Sequence, residues 1–175
     1  MTISMKAETA DDKTELPREM AERLFAARTV LIFGEIQADL ARTVTAQLLA
    51  LADKSAEPIR VVINSPGGHV EAGDTIHDVV RFIAPQVQML GTGWVASAGA
   101  LVYVAAERER RFALPNTRFL LHQPLGGVGG SASDIEIETS QILAMRERLN
   151  RIFAQATGQP VERIRKDTER NHWLG

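Results

Sequence analysis

Val87-Gln88-Met89-Leu90-Gly91-Thr92-Gly93-Trp94-Val95-Ala96-Ser97-Ala98-Gly99-Ala100 runs from an apolar strand pattern into a run of small residues that suits a helix. Residues 87–90 read as a buried strand and residues 96–106 as the helix that follows it. Ser97 stands alone as a hydroxyl near their junction. Two similar strands precede it: Val30-Leu31-Ile32-Phe33, closed by Gly34, and residues 59–63, closed by Asn64-Ser65-Pro66-Gly67-Gly68. Helical patterns separate them. Residues 39–52 place Leu40, Val44, Leu48 and Leu51 on one face, and residues 70–83 form another helix. Strands alternating with helices predict an α/β fold with largely parallel strands.

The same reading extends to both ends. Downstream, the short runs 111–114 and 118–121 flank a turn at Leu114-Pro115-Asn116. Gly126-Gly127-Val128-Gly129-Gly130 is a flexible stretch. The longest helix then covers residues 133–156, with Ser133 as N-cap and Glu136 completing a capping box. A last helix runs from Pro160 to about Arg170. Upstream, Pro17 opens a helix over residues 18–27, and residues 1–14 form a flexible, polar arm. No repeat or linker divides residues 15–175, so a single domain is expected.

Composition narrows the function. A chain of 175 residues buries about 70% of its surface on folding and needs no staples. It has no Cys, so thiolate nucleophiles, zinc–thiolate sites and disulfides are excluded, and a cytoplasmic location is expected. A net charge of −2 offers no basic excess for nucleic acid. The N-terminus lacks the layout of a signal peptide, and no apolar run approaches the ~20 residues of a membrane span.

Three segments at strand ends carry the chemistry. Ligands of open α/β sheets sit beyond the carboxyl ends of the strands. Ser97 there suits a nucleophile, and its neighbours Ala96, Ala98 and Gly99 let a substrate backbone come close. An N-cap or a tight-packing position is the alternative. His122, in Leu120-Leu121-His122-Gln123-Pro124, suits the base; a satisfied core histidine is its alternative. Gly67-Gly68 can turn N–H groups outward to hold an anion, or form an ordinary turn. Their joint placement favours the catalytic readings. His69 follows the Gly pair and could line a cleft, and His77 lies eight residues on, without an HExxH pattern. His172 reads as exposed and Trp94 as packing near the site. No metal and no cofactor are expected.

Assembled in order, these segments resemble the Clp protease proteolytic subunits, the ClpP family, over residues 28–174. The resemblance is carried by Ile63-Asn64-Ser65-Pro66-Gly67-Gly68, Ala96-Ser97-Ala98-Gly99-Ala100, Leu114-Pro115-Asn116, His122-Gln123-Pro124-Leu125-Gly126-Gly127, Ser133-Asp134-Ile135-Glu136-Ile137 and Asp167-Thr168-Glu169-Arg170. It implies a ClpP/crotonase-like fold of repeated ββα units in a single domain. It implies a serine endopeptidase that cuts unfolded proteins or peptides through an acyl-enzyme, with Ser97 as nucleophile and His122 as base. The amides of Gly68 and Ala98 would form the oxyanion hole. Gly126 and Gly127 would belong to a strand, 126–133, lying beside bound peptide. The long helix would join two stacked seven-membered rings, a tetradecamer. An AAA+ unfoldase would dock on pockets that include Leu48, Phe82 and Phe112.

The chain also departs from the family pattern. Asn171 stands where the family has the triad Asp, so the implied triad is Ser-His-Asn. It fixes geometry without a charge for the imidazolium, which implies low intrinsic activity. Ala98 replaces the usual Met, changing the pocket but keeping the amide. Arg60 and Val62 replace aromatic residues, which puts unfoldase docking in doubt. Relatives usually continue beyond the position of Gly175 for another turn, helix and strand. A non-catalytic subunit in a mixed ring with an active paralogue is the alternative reading. A crotonase-type acyl-CoA enzyme is a third, disfavoured by the Ser–His pair.

Overall fold

Val30 and Ile32 are buried while Phe33 is half exposed along β1 (Thr29–Phe33), and β2 (Ile59–Ser65) buries every second residue. Each strand therefore packs one face on the core. The apolar runs read as wholly buried because a run of four or five residues does not show which side is covered. The computed structural model describes residues 16–175, and the expected arm at 1–14 lies outside them.

The sheet order is β1-β2-β3-β5-β6, with β4 also pairing β3. β1, β2 and β3 (Val87–Ala96) run parallel. The first half of β3 pairs with β4 (Arg111–Ala113) and its second half with β5 (Arg118–Leu121). The step between them is pinned where buried Thr117 donates its hydroxyl to the Gly91 carbonyl at 2.9 Å. A last strand, β6 (His172–Leu174), lies antiparallel on β5. The expected α/β domain with a parallel-dominant sheet is what is seen.

β3 is longer than expected, because Gly91, Thr92 and Gly93 continue the strand to Ala96. β6 was not anticipated: three residues give too short an alternation to read.

α1 (Arg18–Ala26) has no fully buried residue and only leans Phe25 on the core, whereas α2 (Ala38–Lys54) and α3 (Val70–Phe82) close the main core with Val44, Leu48, Leu51, Ile76 and Val80. α4 (Ala98–Tyr103) is short and almost wholly buried. It links this core to a second cluster of Leu101, Leu121, Leu149, Phe153 and Ile164. That cluster is closed by α5 (Ala132–Thr157) and α6 (Val161–Thr168).

The cap of α5 is Ser131, not Ser133. Its hydroxyl accepts from the Asp134 N–H at 3.2 Å, and Asp134 rather than Glu136 completes the box. Asp supplies the same reciprocal acceptor with a shorter reach.

α5 is anchored only at its C-terminal part. Residues 132–141 are all exposed, with Ile135 and Ile137 facing solvent. Below them Arg148 forms a bidentate pair with Asp74 of α3, both contacts 2.6 Å. Glu147 accepts from Arg165 of α6 at 2.7 and 3.0 Å.

Candidate active site

β3 ends at Ala96 and α4 begins at Ala98, so Ser97 alone makes the turn between them. Its φ of 53° and ψ of −119° are unfavourable for an L-residue, at a cost of roughly 1–3 kcal/mol. Backbone bonds hold it there: its N–H donates to the Leu120 carbonyl at 2.9 Å and its carbonyl accepts from the Leu101 N–H at 3.0 Å. The hydroxyl caps nothing. A serine that served only as an N-cap would use it. Such a strained strand-to-helix turn exposes a side chain at the end of a sheet.

The small residues around Ser97 are required by contact. A Cβ on Gly67, whose φ is 104°, would stand 2.7 Å from Ser97 Cβ. A Cβ on Gly68 would collide with the backbone of Ile36. Gly99 leaves no more room, since its Cβ would lie 3.2 Å from Ser65 Cβ.

Ile36 donates to the Gly67 carbonyl at 2.7 Å and accepts from the His69 N–H at 2.9 Å, forming a parallel bridge centred on Gly68. In that pattern the Gly68 N–H points away from Ile36. Ala98 opens α4 and has no helical carbonyl behind it for its own N–H. Neither amide is consumed by the bonds that fix the loop.

β5 delivers His122 one residue past its end. Ser97 and His122 both line a hollow of about 540 Å³, with Glu35, Gly68, His69 and Glu71 on its rim. A smaller apolar recess lies against the same pair, walled by Val70, Leu101, Leu121, Leu149 and Phe153. His122 Nδ1 is buried and has no hydrogen-bond partner. Asn171 is exposed and does not reach it. The β5–β6 ladder ends at the Leu121–His172 pair, and His122 and Asn171 are the residues immediately beyond it on the two strands. Ser97, His122 and the Gly68 loop thus converge, while the third contact is open.

The remaining expected residues divide. Gly126 lines the hollow, whereas Gly127 faces open space. The strand expected over 126–133 is absent: residues 122–130 carry no regular structure, and these glycines offer no side chains to pack. Leu48 is fully buried in the core and lines no surface, while Phe82 and Phe112 are exposed. Val62, Leu90 and Phe112 align across three strands on the open face of the sheet. His77 is buried in α3 and pairs with Asp78 at 2.9 Å. His172 is half-buried beside Asp167, at 3.9 Å.

Two features were missed in the sequence. Glu35 and Glu71 enter the rim from segments far apart in the chain, with no spacing to link them. Trp94 stacks on Trp173, with centroids 6.0 Å apart, and only the β6 pairing brings these two together.

Comparison with known proteins shows the family and the fold. The Clp protease family matches residues 12–175. The ATP-dependent Clp protease proteolytic subunit 3 of Rhizobium etli is 62% identical over 173 residues, covering 97% of this chain and 89% of the relative. Proteolytic subunit 2 of Gluconobacter oxydans is 64% identical, covering 89% and 71%. Among solved structures, an Asn-to-Asp mutant of ClpP1 from Listeria monocytogenes superposes with a TM-score of 0.83 at 56% identity, covering 89% of this chain and 87% of that one. ClpP1 from the same organism gives 0.80 at 55% identity, with the same coverage.

Proposed function

The chain belongs to the Clp protease family and is a serine-type endopeptidase of the proteolytic-subunit kind, and on that premise we propose that Ser97, His122 and Asn171 are its catalytic triad. Ser97 Oγ attacks the scissile carbonyl carbon while His122 Nε2 takes the hydroxyl proton. The Gly68 and Ala98 amides hold the oxyanion. As the intermediate collapses, His122 returns the proton to the leaving amine and an acyl-enzyme remains. Water activated by the same His122 then releases the acid.

Asn171 accepts the Nδ1–H of His122 and fixes its tautomer, adding no charge. The larger hollow, with Gly126 on its rim, receives the peptide around the cut.

The observation that carries this reading is the strained turn at Ser97, packed against Gly67 with its hydroxyl uncommitted. A purely structural subunit has no use for such strain.

Proteolytic subunits of this family form oligomeric rings, generally with AAA+ partners. The exposed first turns of α5 support a ring-to-ring contact, in stacked heptamers of this chain or with a paralogue. Exposed Phe82 and Phe112 support an unfoldase-docking surface, weakened by the exposed charge of Arg60 on β2.

Fluorophosphonate labelling of the assembled particle tests the assignment. Label is expected on Ser97, lost in Ser97→Ala and strongly slowed in His122→Ala, with peptide hydrolysis falling in parallel. Label on another residue, or full peptide turnover by Ser97→Ala, would overturn it.

A further inference from the structure

We propose that Trp173 is a positioning residue: stacked on Trp94 and covered by Arg118, it holds β6 in the register that presents Asn171 to His122. The inference rests on Asn171 being the third member of the triad.

β6 has three residues and, among the described residues, pairs with β5 alone. Ladders this short specify their register weakly, and a slip of one residue turns every side chain to the other face. It also shifts the strand by ~3.4 Å, more than a hydrogen bond to His122 tolerates.

Upstream of the strand the Gln123 N–H donates to the Thr168 carbonyl at 2.7 Å and its side-chain amide to the Glu169 carbonyl at 3.1 Å, which anchors the chain before Asn171. Within the strand itself a side-chain lock adds to the short ladder. The Trp173 indole reaches across β5 to Trp94, with centroids 6.0 Å apart and planes inclined by 23°. The Arg118 guanidinium lies 5.1 Å from the Trp173 ring centre. Trp94 and Arg118 are register partners, and Trp173 pairs with Leu120, two residues along β5 from Arg118. Three adjacent strands thus contribute to one layer.

That layer joins the two halves of the site. Trp94 precedes Ser97 by three residues in the strand that ends at the nucleophile, and Trp173 follows Asn171 by two. A slipped β6 would carry Trp173 off Trp94, so the stack and the Asn171 position are linked. The other tie on this strand, His172 to Asp167 at 3.9 Å, is too long to set a register. Asn171 is exposed and His122 Nδ1 unpartnered, so the last approach is a local swing from a strand that the stack keeps in place.

The test compares Trp173→Ala, Trp173→Phe, Trp94→Ala, Asn171→Ala and the double variant Trp173→Ala/Asn171→Ala, each as the full chain in its assembled particle. It reads kcat and KM for a short peptide and near-ultraviolet circular dichroism of the tryptophan pair. Trp173→Ala is expected to lower kcat about tenfold with KM unchanged within about twofold, the mark of misplaced catalytic geometry. Trp94→Ala does the same, both lose the dichroic signal of the stack, and Trp173→Phe restores most of kcat. The double variant is no slower than Asn171→Ala, because both changes remove one interaction.

Parental kcat in Trp173→Ala, beside a clear loss in Asn171→Ala, overturns the positioning role and leaves the triad standing. An additive loss in the double variant also overturns it, since Trp173 would then act independently of Asn171. Parental kcat in Asn171→Ala overturns the triad itself. If Trp173→Ala fails to assemble, Trp94→Ala and Trp173→Phe carry the same comparison.

Discussion

Replacing Gly67 by Ala should disable the site while leaving the fold intact, and the structure sets the size of the effect. The new Cβ would stand 2.7 Å from Ser97 Cβ and 3.0 Å from the Ala96 carbonyl oxygen. Carbon atoms in ordinary contact lie ~3.5–4.0 Å apart, so the turn at Ser97 or the Gly67 loop must retreat by roughly 1 Å. The φ of 104° adds about 1–2 kcal/mol for an L-residue, and overpacking about 1–3 kcal/mol. The total of about 2–5 kcal/mol is at or below the low end of the ~5–15 kcal/mol of a typical domain, so the variant should fold, with reduced stability. A displacement of ~1 Å at the nucleophile, however, is expected to cost on the order of 100-fold in kcat.

Gly34→Ala is the internal control. Its φ is 86°, yet nothing lies within 4 Å of the added Cβ. It should show the backbone cost of about 1–2 kcal/mol in a urea midpoint, with parental turnover. If Gly67→Ala hydrolyses peptide as fast as Gly34→Ala, the argument that the Gly67 loop sets the Ser97 position is wrong.

Two further outcomes follow from the same geometry. Asn171→Asp should raise peptide turnover by roughly 10–100-fold, less than the ~10⁴ that separates Asp from Asn in an aligned triad, because residue 171 must still reach His122. No gain in an assembled particle would remove Asn171 from the triad. The second concerns acid. Hydrogen bonding to Arg165 holds the Glu147 carboxyl below its ordinary value, outweighing its partial desolvation. Its stabilising pairing is therefore complete above the unfolded carboxyl's pKa and is lost as pH falls through the lower folded value. Urea midpoints below about pH 4.5 should fall more steeply for the parent than for Glu147→Gln; equal slopes would contradict the assignment.

The residues that could be read from the sequence are those whose neighbours along the chain carry the signal. Ser97 among small residues, His122 at the end of Leu120-Leu121 and Gly67-Gly68 after an apolar run are local patterns, and all three meet in one hollow. What escaped depends on partners far away. The N-cap at Ser131 rather than Ser133 is decided by which hydroxyl meets the Asp134 amide, since both serines precede the same periodic run. β6 is too short to show alternation and exists because β5 offers an edge. Leu48 was expected in a surface pocket on the strength of resemblance alone, although the face it shares with Val44 and Leu51 pointed to the core.

The bare start of α5 has a consequence for how the protein behaves at low concentration. The first ten residues of this 26-residue helix have no packed face and hold only by propagation from the anchored turns and by the Ser131 cap, so they fray more readily than the rest. Whatever covers Ile135 and Ile137 therefore contributes folding free energy as well as affinity, and the two become one linked equilibrium. Dilution should then melt the arm before the body, and the unfolding midpoint should climb with total protein. A subunit released alone would carry a frayed helix beside its hollow, so the mass-action balance that builds the particle would also act as the thermostat of its peptidase.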